Sequence, residues 1–183
     1  MTTTGTHVDY SQTDPRWANK LQGRSTHLTL KYYGCLITAG ASVAVAQGAQ
    51  TDPGKLNKLL ESKGLLGGSD GVTMLCNDFL TRCYPKIKFI ERKDWPSDTV
   101  APGKYFQVRT DLKTDLIIKL DYHPELPGIQ EHWCRVIGTN AELDDVEIVD
   151  SFDGKRKWLS TIAEKGDKQA LQIIWSALKY RGQ

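Results

Sequence analysis

The feature that most constrains the fold is an uncharged run of small and apolar residues from Cys35 to Ala46. The run is too long for a typical strand, and small side chains fall on every side of it. We therefore expect a helix that is buried all round and closely approached by the backbone of its neighbours. The rest of the chain must supply the elements that cover it.

Two more helices are predicted downstream of this run. One begins with Asp52 as its N-cap and Pro53 at its first helical position, and it ends at Gly64. Its inward face carries Leu56, Leu59 and Leu60. The other is predicted over residues 72–83, with Leu75, Phe79 and Leu80 facing inward. The glycine-rich segment 64–71 lacks the lysine of a phosphate-binding loop and is interpreted as a flexible connection.

After Pro85 the pattern changes to short β-like runs separated by proline and glycine. The predicted strands are residues 87–90, 105–108, 116–120, 132–137 and 146–150, and segment 171–180 fits either a strand or a helix. Helices followed by antiparallel strands are typical of an α+β domain. We expect one domain over residues 1–183, with a helical lobe at about 10–85 and a β lobe at about 86–180, because each part is small for a core of its own.

Composition excludes several classes of protein. The chain has 183 residues and a net charge of +2 with both signs mixed, so a nucleic-acid partner is not expected. No apolar run approaches the roughly 18 residues of a membrane span, and the start of the chain lacks the apolar stretch of a secretory signal. We expect a cytoplasmic protein as synthesised, with release by lysis or carriage in a virion left open. The four cysteines have no C-x-x-C spacing, so neither a metal nor another cofactor is predicted.

Cys35 is the first candidate for chemistry. It follows Gly34 and begins the apolar helix, where unpaired N–H groups and a partial positive charge stabilise a thiolate. A glycine before it allows a tight turn and the close approach of a substrate. The alternative is that Cys35 is a buried small hydrophobe, since free cysteines are often buried.

A reactive thiol needs a base and a group that orients the base. Of the four histidines, only His132 begins a predicted strand, whose alternation puts Cys134 and Val136 on the same face. A hairpin back to residues 146–150 would return Asp150 to the same end of the sheet. Asn140 is a rival orienting residue, and a structural role remains the alternative for both His132 and Asp150.

Gln12 is the fourth candidate. Its neutral amide lies upstream of the thiol and could join the backbone N–H of Cys35 in an oxyanion hole, worth on the order of 3 kcal/mol in acyl transfer. The basic triplet at residues 155–157 is interpreted as a short solvated turn.

The order of these motifs resembles the papain-like cysteine peptidases that process bacteriocin leaders, and most of all their stand-alone bacterial and phage relatives. Such domains open with Q-x-D-x-x-W, place G-C at the start of the central helix, and carry an H-[WF]-x-x-V-x-G strand and a later strand that ends in Asp-Pro. The matching segments here lie between Tyr10 and Trp158 and are Gln12–Trp17, Gly34-Cys35, the Pro53 helix, His132-Trp133 and Asp150. Ser151 replaces the usual proline, and Cys134-Arg135 replace the usual apolar pair.

The resemblance implies a papain-like fold and a thiol hydrolase without a cofactor. Cys35 would be its nucleophile, His132 its general base, Asp150 its orienting residue and Gln12 its oxyanion donor. The substrate would be a peptide cut after small residues or the stem peptide of peptidoglycan, the latter as in an endolysin. A catalytically silent module that binds a peptide and an acyltransferase that uses the same dyad are the alternatives. The sequence leaves the oligomeric state open.

Overall fold

Gly34 separates the first two helices, α1 (Leu30–Tyr33) and α2 (Cys35–Ala46). The computed structural model describes residues 8–95, 114–128, 130–140, 142 and 145–183. A Cβ at position 34 would overlap the carbonyl oxygen of Leu30, so the glycine is required by a close backbone approach. In α2 every residue from 37 to 44 is buried, which confirms the predicted all-round burial.

The second predicted helix is also confirmed, as α3 (Pro53–Ser62). The Asp52 carboxylate accepts a hydrogen bond of 2.8 Å from the backbone N–H of Lys55, which makes it the N-cap. Gly64 has a φ of +64° just beyond the helix, in the left-handed region that glycine favours. The leucines Leu56 and Leu60 are fully buried against the core.

The helix predicted over residues 72–83 is wrong in its first half. Strand β1 (Leu66–Gly67), within the segment interpreted as a flexible connection, pairs with β2 (Thr73–Met74), and only α4 (Phe79–Cys83) is helical. Asp70 explains the difference, because its carboxylate accepts from the N–H of Val72 at 3.0 Å and closes a hairpin turn. Leu75, predicted to face inward, is 58% exposed, whereas the other two predicted core residues of this segment, Phe79 and Leu80, are buried.

The remaining chain forms a six-stranded antiparallel sheet of order β3-β8-β4-β5-β6-β7. Its strands are β3 (Ile87–Asp94), β4 (Thr114–Asp121), β5 (Glu131–Asn140), β6 (Asp145–Val149), β7 (Arg156–Trp158) and β8 (Ile174–Gly182). Four predicted strands fall within β3 to β6, and Asp150 lies one residue beyond β6. The strand predicted at 105–108 lies outside the described residues.

The segment between β7 and β8 holds α5 (Ser160–Ala163) and two 3₁₀ helices, Glu164–Gly166 and Ala170–Ile173. The ambiguous segment 171–180 is therefore mainly strand, since β8 begins at Ile174. The sequence predicted neither α5 nor β7. The result is a mixed α+β fold with a large antiparallel sheet, as expected for the fold class.

The sheet is buried on both faces. Helix α2 packs on one face against β4 and β5, in a core that includes Ile37, Phe79, Ile117 and Tyr180. The other face has its own core, which joins residues of β4 and β5 to α5 and the second 3₁₀ helix: Leu116, Ile118, Cys134, Val136, Ile162 and Ile173. Trp133 packs with the first core and Cys134 belongs to the second, so the alternation predicted for β5 is confirmed. Within the described part of the chain, no helix combines the length and apolarity needed to cross a membrane.

Candidate active site

His132 and Asp150 form a buried pair at one end of the sheet. His132 Nε2 lies 2.8 Å from Asp150 Oδ1, and the two side chains are 10% and 0% exposed. His132 is at the second position of β5, and Asp150 follows the last residue of the neighbouring strand β6. The structure therefore brings together the predicted base and its predicted orienting residue, with the imidazole held through one ring nitrogen.

Cys35 lies at the first position of α2, and its thiol is near enough to the His132 ring to contribute to the raised pKa of that histidine. The cysteine is partly exposed and has no disulfide partner. The first N–H groups of a helix have no acceptor inside the helix, so the backbone N–H of Cys35 is not used within α2. Cys35 thus places a partly exposed sulfur near the imidazole that pairs with the fully buried carboxylate of Asp150.

The ionisation of the pair follows from its surroundings. Burial by itself lowers the pKa of His132, but the Asp150 carboxylate, together with hydrogen bonds to Cys134 and Cys35, outweighs burial and raises that pKa well above its usual value. Burial also opposes ionisation of Asp150, yet hydrogen bonds from His132, Lys157 and Tyr122 hold the pKa of Asp150 below its usual value. The structure therefore favours an imidazolium next to a carboxylate.

Cys134 is a third neighbour of the His132 ring. Its side chain is fully buried, and burial raises the pKa of its thiol, so it is protonated at neutral pH. It shares a face of β5 with His132, as the alternation predicted, but it lies in the core rather than at the surface. Of the two cysteines beside the imidazole, Cys35 is partly exposed and Cys134 is buried.

Gln12 is buried beside the same end of the sheet. Its Nε2 donates to the carbonyl of Lys31 at 2.6 Å, and its backbone N–H donates to the carbonyl of Ser151 at 2.7 Å. These bonds hold it between the residues that precede Cys35 and those that follow Asp150. A primary amide has a second N–H to offer, and Oε1 has no partner among the described residues.

Sequence reasoning missed two residues, Tyr122 and Lys157. The Tyr122 hydroxyl donates to Asp150 Oδ2 at 2.6 Å, and Lys157 Nζ lies 2.5 Å from the same oxygen. The interpretation of residues 155–157 as a solvated turn is wrong, because Arg156 and Lys157 belong to β7 and Lys157 is 27% exposed. No local sequence signal marks either residue, since only the sheet brings them to Asp150.

The rival orienting residue Asn140 is excluded by position. It pairs with Asp145 at the opposite end of β5, and its side chain accepts from the N–H of Glu142 at 3.1 Å. Of the other histidines, His123 contacts Tyr122 edge to face and pairs with Glu125 at 3.0 Å. His132 is the histidine whose pKa Cys35 helps to raise.

His132, Cys134 and Asp150 also have the donor types of a metal site. One potential ligand atom from each lies within 4.8 Å of the others, the only such group of three among the described residues. The Asp150 carboxylate is already bonded to His132 and to the Lys157 ammonium, whose positive charge opposes a second cation. The arrangement suits proton transfer between Cys35 and His132 better than cation binding.

No protein-family model matches this sequence, and no curated protein matches it at a significant level.

Proposed function

We propose that the protein is a cysteine-dependent peptidase or amidase with a Cys35–His132–Asp150 triad. The observation that supports it best is the buried pair of His132 Nε2 and Asp150 Oδ1, 2.8 Å apart, with the partly exposed thiol of Cys35 acting on the same imidazole. A nucleophile, a base in contact with it and a buried carboxylate on the far side of that base are the parts that thiol hydrolysis needs.

In this mechanism the proton of the Cys35 thiol already resides on His132, and the thiolate of this ion pair attacks the carbonyl carbon of the substrate. The negative charge moves to the carbonyl oxygen, which accepts hydrogen bonds from the second N–H of Gln12 and the backbone N–H of Cys35. When the C–N bond breaks, the imidazolium of His132 gives its proton to the departing amine. Water, deprotonated by His132, then attacks the thioester, and the carboxylic acid and the free thiol are released.

A papain-like fold is part of the same proposal. The features that favour it are the nucleophile at the start of a buried helix, an antiparallel sheet packed on that helix, and a base on one of its strands. The order of the site residues along the chain also agrees with that fold.

For the substrate we propose a peptide or isopeptide bond, either in a polypeptide or in the stem peptide of peptidoglycan. The deciding experiment incubates purified peptidoglycan and a peptide library with the wild type and with Cys35→Ala, and detects new termini by mass spectrometry. The matched control is Cys76→Ala, which removes another partly buried free thiol. Cleavage by the wild type and the control, but not by Cys35→Ala, supports the proposal.

The same spectra separate the alternatives. Products that carry an added amine in place of a new carboxylate indicate an acyltransferase. The absence of any product, together with slow and equal alkylation of the four thiols, favours a silent peptide-binding module. Cleavage that survives Cys35→Ala overturns the mechanism.

A further inference from the structure

The carboxylate of Asp150 is bonded on both oxygens. Oδ1 accepts from the backbone N–H of Phe152 at 2.8 Å as well as facing His132 Nε2, while Oδ2 accepts from Tyr122 and Lys157. A residue that only orients an imidazole needs one of these contacts. The additional donors surround a side chain that is completely buried, so each of them acts directly on its charge.

The position of Lys157 is fixed by three acceptors. Its ammonium reaches Asp150 Oδ2 at 2.5 Å, the Tyr122 hydroxyl at 3.1 Å and Asp153 Oδ2 at 3.1 Å. An ammonium donates three hydrogen bonds and accepts none, so these contacts use its whole capacity. The positive charge of Lys157 is therefore held at the far side of the carboxylate from His132.

Tyr122 links the lysine to the imidazole in two ways. Because its hydroxyl accepts from Lys157, the phenolic proton is directed to Asp150 Oδ2. Its ring also lies against the His132 ring, with centroids 4.6 Å apart and planes at 51°. Tyr122 thus limits both the movement of the carboxylate and the rotation of the imidazole.

We propose that Lys157 and Tyr122 are positioning residues of the site, which hold Asp150 against His132 and make it one half of a nearly neutral ion pair. The role of these two residues in catalysis rests on the proposed function, whereas their effect on His132 does not. In this arrangement Asp150 orients the imidazole and shares its negative charge between His132 and Lys157.

The consequence is a lower proton affinity of His132 than an unpaired carboxylate would give. A positive charge near a titrating base disfavours its protonated form, so removal of the Lys157 charge strengthens the hold of Asp150 on the imidazolium. The base then gives up its proton less readily to a leaving amine. Lys157 therefore tunes a step in which it makes no contact with the substrate.

Other groups face His132 from each neighbouring element, and none of them duplicates Lys157. Cys35 faces it from α2 and Cys134 from its own strand, and burial keeps the thiol of the latter protonated. Three further charged or titratable groups contact Tyr122 or Lys157, and they are His123, Lys165 and Asp153.

The test measures the titration of the His132 ring by nuclear magnetic resonance in the Cys35→Ala background, where no substrate or reactive thiol is needed. Lys157→Met and Lys157→Gln remove the charge, and the glutamine keeps an N–H donor for Asp150. Both variants should raise the midpoint of the His132 titration by about one pH unit. Lys157→Arg, which keeps the charge, should leave the midpoint where it is.

Lys155→Met is the matched control, since it removes the same charge from an exposed position two residues away. If Lys157→Met and Lys157→Gln move the midpoint no further than this control does, the proposal is overturned. A fall in the midpoint would overturn it as well. The titration is measured in an inactive background, so its result does not depend on whether the protein is a peptidase. A failure of the titration test likewise leaves the peptidase proposal standing.

Discussion

His132 and Asp150 meet on a diagonal across the β5–β6 pair, with Nε2 and Oδ1 2.8 Å apart. Arg135 pairs with Val149, so the same register places Asp150 opposite Cys134 rather than opposite His132. The imidazole and the carboxylate reach each other along the strand direction, as diagonal neighbours on one face do. This register explains why Cys134 is buried within 4.8 Å of both.

We expect Cys35 to be the thiol that iodoacetamide modifies fastest, also at mildly acidic pH. It is partly exposed and lies beside His132, whereas burial raises the pKa of Cys83 to about 11 and raises that of Cys134 as well. Alkylated peptides quantified by mass spectrometry over time give the rate for each cysteine.

Cys76 is the informative comparison, because it is also partly exposed but has a pKa raised by burial and by Asp78. A His132→Ala variant should slow the alkylation of Cys35 and leave the rate at Cys76 as it was. Equal rates at Cys35 and Cys76 in the wild type would contradict a thiol activated by His132.

Asp150→Asn should destabilise the fold by about 3 kcal/mol at neutral pH, because it leaves His132 and Lys157 without their shared counter-charge. The folded pKa of Asp150 is lowered, so its carboxylate contributes stability above about pH 4 that is lost as the pH falls through the folded value. The difference between wild type and variant should therefore shrink below about pH 4. Urea unfolding at several pH values measures it.

The contribution of His132 to stability depends on pH in the opposite direction, since it is lost at alkaline pH. Its folded pKa is raised, so its contribution is complete below about pH 6.5 and is lost as the pH rises through the folded value. Wild type should thus lose stability at alkaline pH more steeply than Asp150→Asn. Parallel curves for the two proteins across the whole range would contradict a charged His132–Asp150 pair.

The sequence predicted the elements that hold the site better than the contacts within it. The buried helix α2 and the capped helix α3 could be predicted because the absence of charge and the Asp52-Pro53 start are local sequence signals. The sequence also predicted that His132 and Asp150 meet, because a hairpin returns the end of its second strand to the start of its first. Their diagonal register was not predictable, because the register of this pair shifts between Val136 and Gly138 without any sequence mark.

Other features were not predictable because they depend on distant parts of the chain. Lys157 appeared to belong to a solvated turn, and only the pairing of β7 with β6 brings it to the carboxylate. Tyr122 reaches Asp150 across 28 positions of sequence. The error in the first half of the helix predicted over residues 72–83 has a more local cause, since the Asp70 turn competes with the helical pattern of the following residues.

A second buried ion pair predicts a different effect on stability. Arg135 donates to Asp115 Oδ1 from Nε at 3.0 Å and from Nη2 at 2.7 Å, and both residues are buried. Asp115→Ala should cost about 3 to 5 kcal/mol, because the guanidinium stays buried without its partner. The double variant Asp115→Ala with Arg135→Met should recover most of that loss in urea unfolding.

The exposed pair Arg82–Asp78 is the control for this prediction. Arg82→Met should hardly change the unfolding midpoint, because water screens the pair. A double variant at 115 and 135 that is as unstable as Asp115→Ala would show that the arginine contributes more than its charge.

Gly40→Ala should destabilise the protein although alanine is the better helix former. A Cβ at position 40 would lie 2.9 Å from one ring carbon of Phe79 and 3.0 Å from another. The overlap costs about 1 to 3 kcal/mol, against a gain of up to about 1 kcal/mol in helix propensity. Thermal unfolding should therefore show a lower midpoint, which Phe79→Leu partly restores in the double variant. A higher midpoint for Gly40→Ala would mean that the ring moves aside freely.

Gln12→Ala should lower kcat on a peptide substrate by about 10² to 10³ while KM changes little, because the amide is proposed to bond the oxyanion only as charge develops. Its bond to the Lys31 carbonyl also positions the loop, so a structural loss must be separated from a chemical one. Ser11→Ala serves for this, since it removes the neighbouring bond of that loop to the Phe152 carbonyl at 2.7 Å. Steady-state kinetics in which Ser11→Ala loses as much kcat as Gln12→Ala would assign Gln12 to the support of the loop instead of the oxyanion.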